Sequence, residues 1–230
     1  MPNLSQDRYA LALHTTTPQL GIAISNYAQD SRSQVWDLGR DLASHLHQHL
    51  QEIIAPQTWQ DLEFIAVAKG PGGFTGSRVG VVTARTIAQQ LNIPLFGISN
   101  LAAIAHGAVA ESFGLASQTP IAIAQKQHDD KLVAVQMNAS REQLFVAIYQ
   151  PDKNGGVQTY LADTLMTLEA WQETLDSLKA TYQLIKADQN TAKTVTNILD
   201  LAYLEWQQNK LTKWSEVIPF YGQHPVTLGQ

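Results

Sequence analysis

Residues 64–79 read Phe64-Ile-Ala-Val-Ala-Lys-Gly-Pro-Gly-Gly-Phe-Thr-Gly-Ser-Arg-Val79. A short apolar run ends in glycines, and helical spacing of apolar residues resumes over 77–91. That is the grammar of a buried strand turning into a helix. Backbone N–H groups at such a turn can point at an anion, helped by the helix dipole. The known phosphate patterns nevertheless do not match. A P-loop needs a glycine five residues before the Gly-Lys pair, but Gly76 is followed by Ser77 and five residues earlier stands Pro71. The dinucleotide pattern counted from Gly70 and Gly72 requires glycine where Thr75 stands. The simpler reading is a tight turn, with glycines for positive φ and Thr75 or Ser77 as helix N-cap. Arg78 puts a cation in the first helical turn, where the dipole disfavours it; an ion pair is the simplest reason, a partner the other.

Outward from this turn the chain reads as α/β. Towards the N-terminus lie strands at 9–14, 20–24 and 33–37, then a helix over 38–54 closed by Pro56. Towards the C-terminus follow a strand at 93–96 and a helix over 100–110. The same order then starts again: strands at 132–135 and 144–149, a turn at 151–156, a helix over 168–178, a strand at 182–185 and a helix over 192–207. A further strand is expected at 121–124 and an exposed loop tip at 125–131. The pattern repeats although the sequence does not. It predicts two α/β lobes of similar build, spanning 1–105 and 106–230.

Composition narrows the function classes. Of 230 residues, 15% are charged and the formal net charge is −5, where soluble domains average about 25% charged. Glutamine is the commonest polar residue, with 24 copies. The acidic balance argues against unaided grip on nucleic acid, which needs clustered Lys and Arg. With no cysteine there is no disulfide, thiolate zinc site or thiol nucleophile. Residues 1–6 lack the pattern of a signal peptide, and the longest clean apolar run, 144–149, falls far short of a membrane span. A cytoplasmic protein with no membrane contact is expected.

Gly70-Pro-Gly-Gly-Phe-Thr-Gly-Ser-Arg78 resembles the GPGSFTGLR signature of the TsaB (YeaZ) family. Residues 65–68, 79–84 and 92–99 agree with the pieces flanking it, 11–16 is similar to the family's strand-turn opening, and 138–145 is similar to its second-lobe segment. The likeness is strong over 9–105, patchy to 150 and nearly absent beyond, except that 217–221 resembles the closing P-x-Y segment. The resemblance implies an actin-like, sugar-kinase-like two-lobed α/β fold of duplicated ribonuclease H-like lobes. It implies a role in making the threonylcarbamoyladenosine of tRNA. There the family acts as a non-catalytic scaffold for its larger paralogue TsaD, joined by a small ATPase, TsaE; an active ATP-dependent small-molecule kinase of the same fold and a peptidase are the alternative readings. By the same resemblance tRNA is met only through the complex, and a homodimer is a further association. No cofactor is implied. Where the superfamily places carboxylates near a metal–nucleotide, this chain has His14 and Asn138. Neutral imidazole suits Mg²⁺ poorly.

The expected partner surface is formed by helices 38–54 and 77–91, through Leu42, Leu46 and Leu50 on the first and Val79, Gly80, Thr83, Ala84 and Ile87 on the second. Gly80, Ala84 and Ala88 recur every four residues, a spacing that lets another helix approach. Other constellations are weaker. His45, His47 and His49 read as a polar helix face rather than a zinc site, since no Glu lies between them in the metalloprotease manner. His128, Asp129 and Asp130 read as solvated. No G-x-S-x-G elbow is present.

Overall fold

The computed structural model describes residues 3–112, 131–188, 190–220 and 222. The readings at 121–124 and 125–130, and those on His128, Asp129, Asp130 and Tyr221, lie outside these residues.

The first sheet has the order β3-β2-β1-β4-β5, with β1 at Tyr9–His14, β2 at Gln19–Ser25, β3 at Ser31–Asp37, β4 at Leu62–Gly70 and β5 at Leu95–Ser99. β1, β2 and β3 pair antiparallel; β4 runs parallel to β1, and β5 to β4. The second sheet, β8-β7-β6-β9, repeats this scheme one strand shorter. Here β6 (Leu132–Asn138), β7 (Gln143–Pro151) and β8 (Val157–Thr167) are antiparallel, and β9 (Tyr182–Ala187) is parallel to β6. Five helices accompany the sheets among the described residues: α1 (Leu42–Ile54), α2 (Phe74–Leu91), α3 (Asn100–Ser112), α4 (Leu168–Asp176) and α5 (Val195–Gln207).

The layering follows from side-chain size on alternate residues. On β1, Leu11 and Leu13 face α1 and α2, joined there by Ile65 and Val67 of β4 and by Leu46 and Leu50. Ala10 and Ala12, with Ala66 and Ala68 of β4, pave the opposite face and let α5 approach through Ile198 and Ala202. α3 covers one face of the second sheet through Leu101, Ala105 and Val109. α4 covers the other through Trp171 and Leu175. α3 and α5 stand side by side between the sheets, tied by the Asn197 side-chain amide donating to the Ala103 carbonyl at 3.0 Å. Thus α5, contributed by the stretch 106–230, packs on the first sheet and crosses the expected division into lobes.

Several elements depart from expectation. α1 begins at Leu42 rather than 38 and α5 at Val195 rather than 192, each behind a short 3-10 turn. α2 begins at Phe74, three residues early, because extended Gly73 serves as its N-cap. The last parallel strand of the first sheet is 95–99 rather than 93–96. β8 had no counterpart in the periodicity. It is a mostly half-exposed edge strand whose register slips opposite Ile148, so no clean alternation marks it.

Candidate functional site

The glycine turn owes its shape to what it packs against. Gly70 adopts φ +110°, a region closed to most side chains. The Gly73 N–H donates to the Thr16 carbonyl at 2.7 Å, and the Thr15 hydroxyl donates to the Gly76 carbonyl at 2.8 Å. A Cβ at Gly76 would overlap the Thr15 carbonyl, and one at Gly80 would overlap the Thr15 hydroxyl. These glycines therefore seat the start of α2 directly on the turn between β1 and β2. Asn100, fully buried at the start of α3, locks both turns: its amide donates to the Thr16 hydroxyl and, at 2.7 Å, to the Pro71 carbonyl. Neither Thr75 nor Ser77 caps the helix. Thr75 is exposed, and the buried Ser77 hydroxyl donates back to the Gly73 carbonyl at 2.9 Å.

Above these turns lies a cleft of about 1010 Å³. Thr15, Thr16, Thr17 and Pro18 form its floor, with Gly72, Gly73, Phe74, Thr75, Gly76 and Val79 on one side. The start of α1 supplies Gly39, Arg40, Leu42 and Ala43, and the β6–β7 hairpin of the other sheet supplies Met137, Asn138, Ala139, Ser140 and Phe145. Phe220 closes the rim. Its N–H donates to the Lys69 carbonyl at 2.7 Å, and its ring meets Phe145 edge-on with centroids 6.3 Å apart. Of the family-motif positions, Gly72, Gly73, Phe74, Thr75 and Gly76 reach the cleft, whereas Gly70, Pro71 and Arg78 do not line it. The Arg78 guanidinium lies over the Phe74 ring, 4.5 Å from its centroid.

His14 and Asn138 part company. Asn138 lines the cleft. His14 is fully buried and turned away from it, with Nε2 3.3 Å from the Thr191 hydroxyl ahead of α5. Its Nδ1 has no hydrogen-bond partner among the described residues. Burial pulls its pKa down from 6.5 to about 4, so the ring is neutral at physiological pH.

An actin-like fold implies a metal–nucleotide between the lobes. The residues present do not fit one. Among the described residues the cleft offers hydroxyls, the Asn138 carboxamide and one ionisable group, the Arg40 guanidinium, but no carboxylate. Mg²⁺ is held by carboxylate and phosphate oxygens, and the buried neutral His14 cannot supply that charge.

The expected partner surface needs correction. Leu42, Leu46, Leu50, Gly80 and Ala84 are buried in the chain's own core, so they are unavailable to a partner. Gly76 and Gly80 of α2 admit the β1–β2 turn, while Ala84 and Ala88 pack into the core of the first sheet. Val79, Thr83 and Ile87 are half-buried. The outward side of α2 presents Phe74, Arg78, Val82 and Thr86; Val82 is 60% exposed and Phe74 58%.

The three α1 histidines do not converge. His45 and His49 ring centroids are 6.4 Å apart, and His49 stacks on Trp36 while meeting Glu52 at 2.8 Å. No group of three potential metal ligands occurs among the described residues. No helix among them is long and apolar enough to cross a membrane. The pattern reading missed Asn100, Phe145 and Phe220. A lone Asn at a strand–helix junction and scattered aromatics carry no spacing signal.

Residues 39–152 match the model of the family described as TsaD: tRNA N6-adenosine threonylcarbamoyltransferase. The chain is 35% identical over 116 residues to the tRNA threonylcarbamoyladenosine biosynthesis protein TsaB of Bacillus subtilis, covering 50% of this chain and 42% of that protein. It is 25% identical over 160 residues to the protein of the same name from Buchnera aphidicola of Acyrthosiphon pisum, covering 69% and 65%. The matches thus span less than two thirds of these relatives. A solved structure, YeaZ from Pseudomonas aeruginosa, aligns over 93% of this chain and 99% of its own with a TM-score of 0.70 at 18% identity. That likeness shows the fold alone.

Proposed function

Because the chain belongs to the TsaB (YeaZ) family, with its actin-like two-lobed α/β fold, we propose that it supports threonylcarbamoyl transfer to adenosine 37 of tRNA as a non-catalytic subunit of a TsaD-type paralogue. The observation that carries the non-catalytic part is the chemistry of the cleft. Among the described residues no carboxylate lines it, and the position at the end of β1 holds a buried, neutral histidine. Phosphoryl chemistry depends on positioned metal ions and charge, and this cleft provides neither a ligand set nor a general base.

The partner then docks on the outer side of α2, where Phe74 and Val82 are exposed beside Val79, Thr83 and Ile87. An exposed apolar strip rimmed by polar residues is the ordinary mark of a protein interface. A TsaE-type ATPase joins the same cytoplasmic assembly, and tRNA is contacted through it. Depletion of the protein followed by nucleoside analysis of bulk tRNA tests the reading. Loss of threonylcarbamoyladenosine is expected; unchanged levels would overturn it.

A further inference from the structure

Two of the three α1 histidines share a face. His45 and His49 stand four residues apart on the helix, so one side chain lies a turn above the other on the same side. Their ring centroids are 6.4 Å apart. His47, two residues from each, projects elsewhere.

Each of the paired rings is held by one nitrogen. The Nδ1 of His45 lies 3.0 Å from the Asp41 carbonyl oxygen, and the Nδ1 of His49 lies 2.8 Å from a Glu52 carboxylate oxygen. A carbonyl and an ionised carboxylate only accept, so Nδ1 carries the hydrogen in both rings. In neutral imidazole the other nitrogen then carries the lone pair. Both Nε2 atoms are those lone-pair ends, and neither has a hydrogen-bond partner among the described residues. Only 13% of the His49 side chain is exposed, yet its unpartnered Nε2 is not enclosed. The supports extend further. Gln48 donates to the other Glu52 oxygen at 2.8 Å. Hydrogen bonds from Gln48 and His49 hold the Glu52 carboxyl below its ordinary range, which keeps it an acceptor. The His49 ring stacks on Trp36 with centroids 4.3 Å apart. His45 is exposed, and its Cβ–ring torsion is a broad one, so it is the ring that can close on an ion.

Metal-bound histidines place one nitrogen on the ion and donate the other N–H to a carbonyl or carboxylate. Both rings carry this arrangement. We propose that His45 and His49 form a two-histidine site for a divalent transition-metal ion on the exposed side of α1, with Glu52 as its positioning residue. Neutral imidazole nitrogen favours Cu²⁺, Ni²⁺ and Zn²⁺ over Mg²⁺ and Ca²⁺, and Cu²⁺ stands highest in the affinity order. No group of three potential ligands occurs among the described residues, so the site is an open one whose remaining positions fall to water, unlike the closed four-ligand sites of structural zinc. A merely solvated face accounts for exposed histidines. It gives no reason for both Nδ1 atoms to be engaged and both Nε2 atoms open. The proposal is independent of the role with tRNA, and neither stands or falls with the other.

The test titrates Cu²⁺, Ni²⁺ and Zn²⁺ separately into the full chain, carrying no affinity tag, at about pH 7.5, where unperturbed imidazole is neutral. Calorimetry reads affinity, tryptophan emission is followed in parallel, and circular dichroism verifies the fold of each variant. One ion per chain is expected at this site, Cu²⁺ the tightest, with no heat from Mg²⁺. His45→Ala and His49→Ala should each abolish this binding, and His47→Ala should leave it unchanged. Should His49→Ala fail to fold, exposed His45→Ala decides. Glu52→Gln should weaken binding by about tenfold at the same stoichiometry, an effect that two unsupported rings would not show. Cu²⁺ should quench emission from Trp36, and Trp36→Phe should remove that response while the heat of binding persists. No binding of any of the three ions, or equal affinity in the parent and His45→Ala, would overturn the site. An equal loss in His47→Ala would overturn the pairing of His45 with His49, and full affinity in Glu52→Gln would overturn the positioning role.

Discussion

Gly76 and Gly80 set how closely α2 approaches the β1–β2 turn. The Thr15 carbonyl occupies the place of a Gly76 side chain, and backbone cannot rotate aside as a side chain does. Gly76→Ala is expected to cost about 3 kcal/mol, read as a lowered urea midpoint with unchanged slope. A variant within about 0.5 kcal/mol of the parent would show that the turn has slack. His14 offers a pH test. Its folded pKa lies near 4 against 6.5 unfolded, so the unfolded chain binds the proton more readily. The stability this neutral ring contributes is present above pH 6.5 and is lost as pH falls from there towards 4. His106, buried and likewise lowered to about 4, adds in the same sense, while Asp200, raised by burial to about 7, works against both. The individual contribution is isolated by comparing parent and His14→Gln. Their stability difference should shift steadily in favour of the variant below pH 6.5. A difference flat between pH 7 and 4.5 would mean that His14 is not held neutral.

At the scale of elements, α1 and α2 separate burial from docking. Leu46 is 1% exposed, and Leu46→Ala is expected to destabilise by about 3 kcal/mol through the cavity it leaves. Val82→Asp lies on the outer side and should leave the thermal midpoint nearly unchanged while reducing capture of the paralogue. Loss of folding in the second variant, or none in the first, would reverse the assignment of faces. These two outcomes also mark what the sequence could carry. Strands β1, β2 and β4 and helices α1 and α3 were legible because their burial is one-sided or nearly complete, which leaves a clear period in the first case and an unbroken apolar run in the second. The stripe Leu42, Leu46, Leu50 was legible as an apolar face, but period alone does not tell a core from a partner. Gly80 and Ala84 illustrate the same limit: small residues announce a close approach without saying whether a turn or a helix approaches. β8 was lost because half-exposed, bulged edge strands have no regular alternation.

At the scale of the whole molecule, the doubled order of strands and helices was legible, but the sandwich that joins the lobes was not. α5 comes from the far end of the chain and covers the alanine face of the first sheet, so the first sheet is incomplete without it. A fragment ending at residue 105 exposes Ala10, Ala12, Phe64, Ala66 and Phe96. It is expected to be unfolded or aggregated, and a dispersed amide spectrum from it would show that the lobes fold independently. The cleft between the sheets is likewise a property of the assembled molecule. One side of it was legible in the nine-residue motif, whereas Phe145 and Phe220 are aromatics that no periodicity singles out as cleft residues. The central claim concerns what the assembled molecule does for tRNA. Its most direct test is nucleoside mass spectrometry of tRNA from cells depleted of the protein and supplied with either the parent chain or folded Val82→Asp. Restored threonylcarbamoyladenosine with the parent and failure with Val82→Asp is predicted. Full modification without any supplied protein, or equal rescue by both chains, would contradict a subunit that acts through its α2 face.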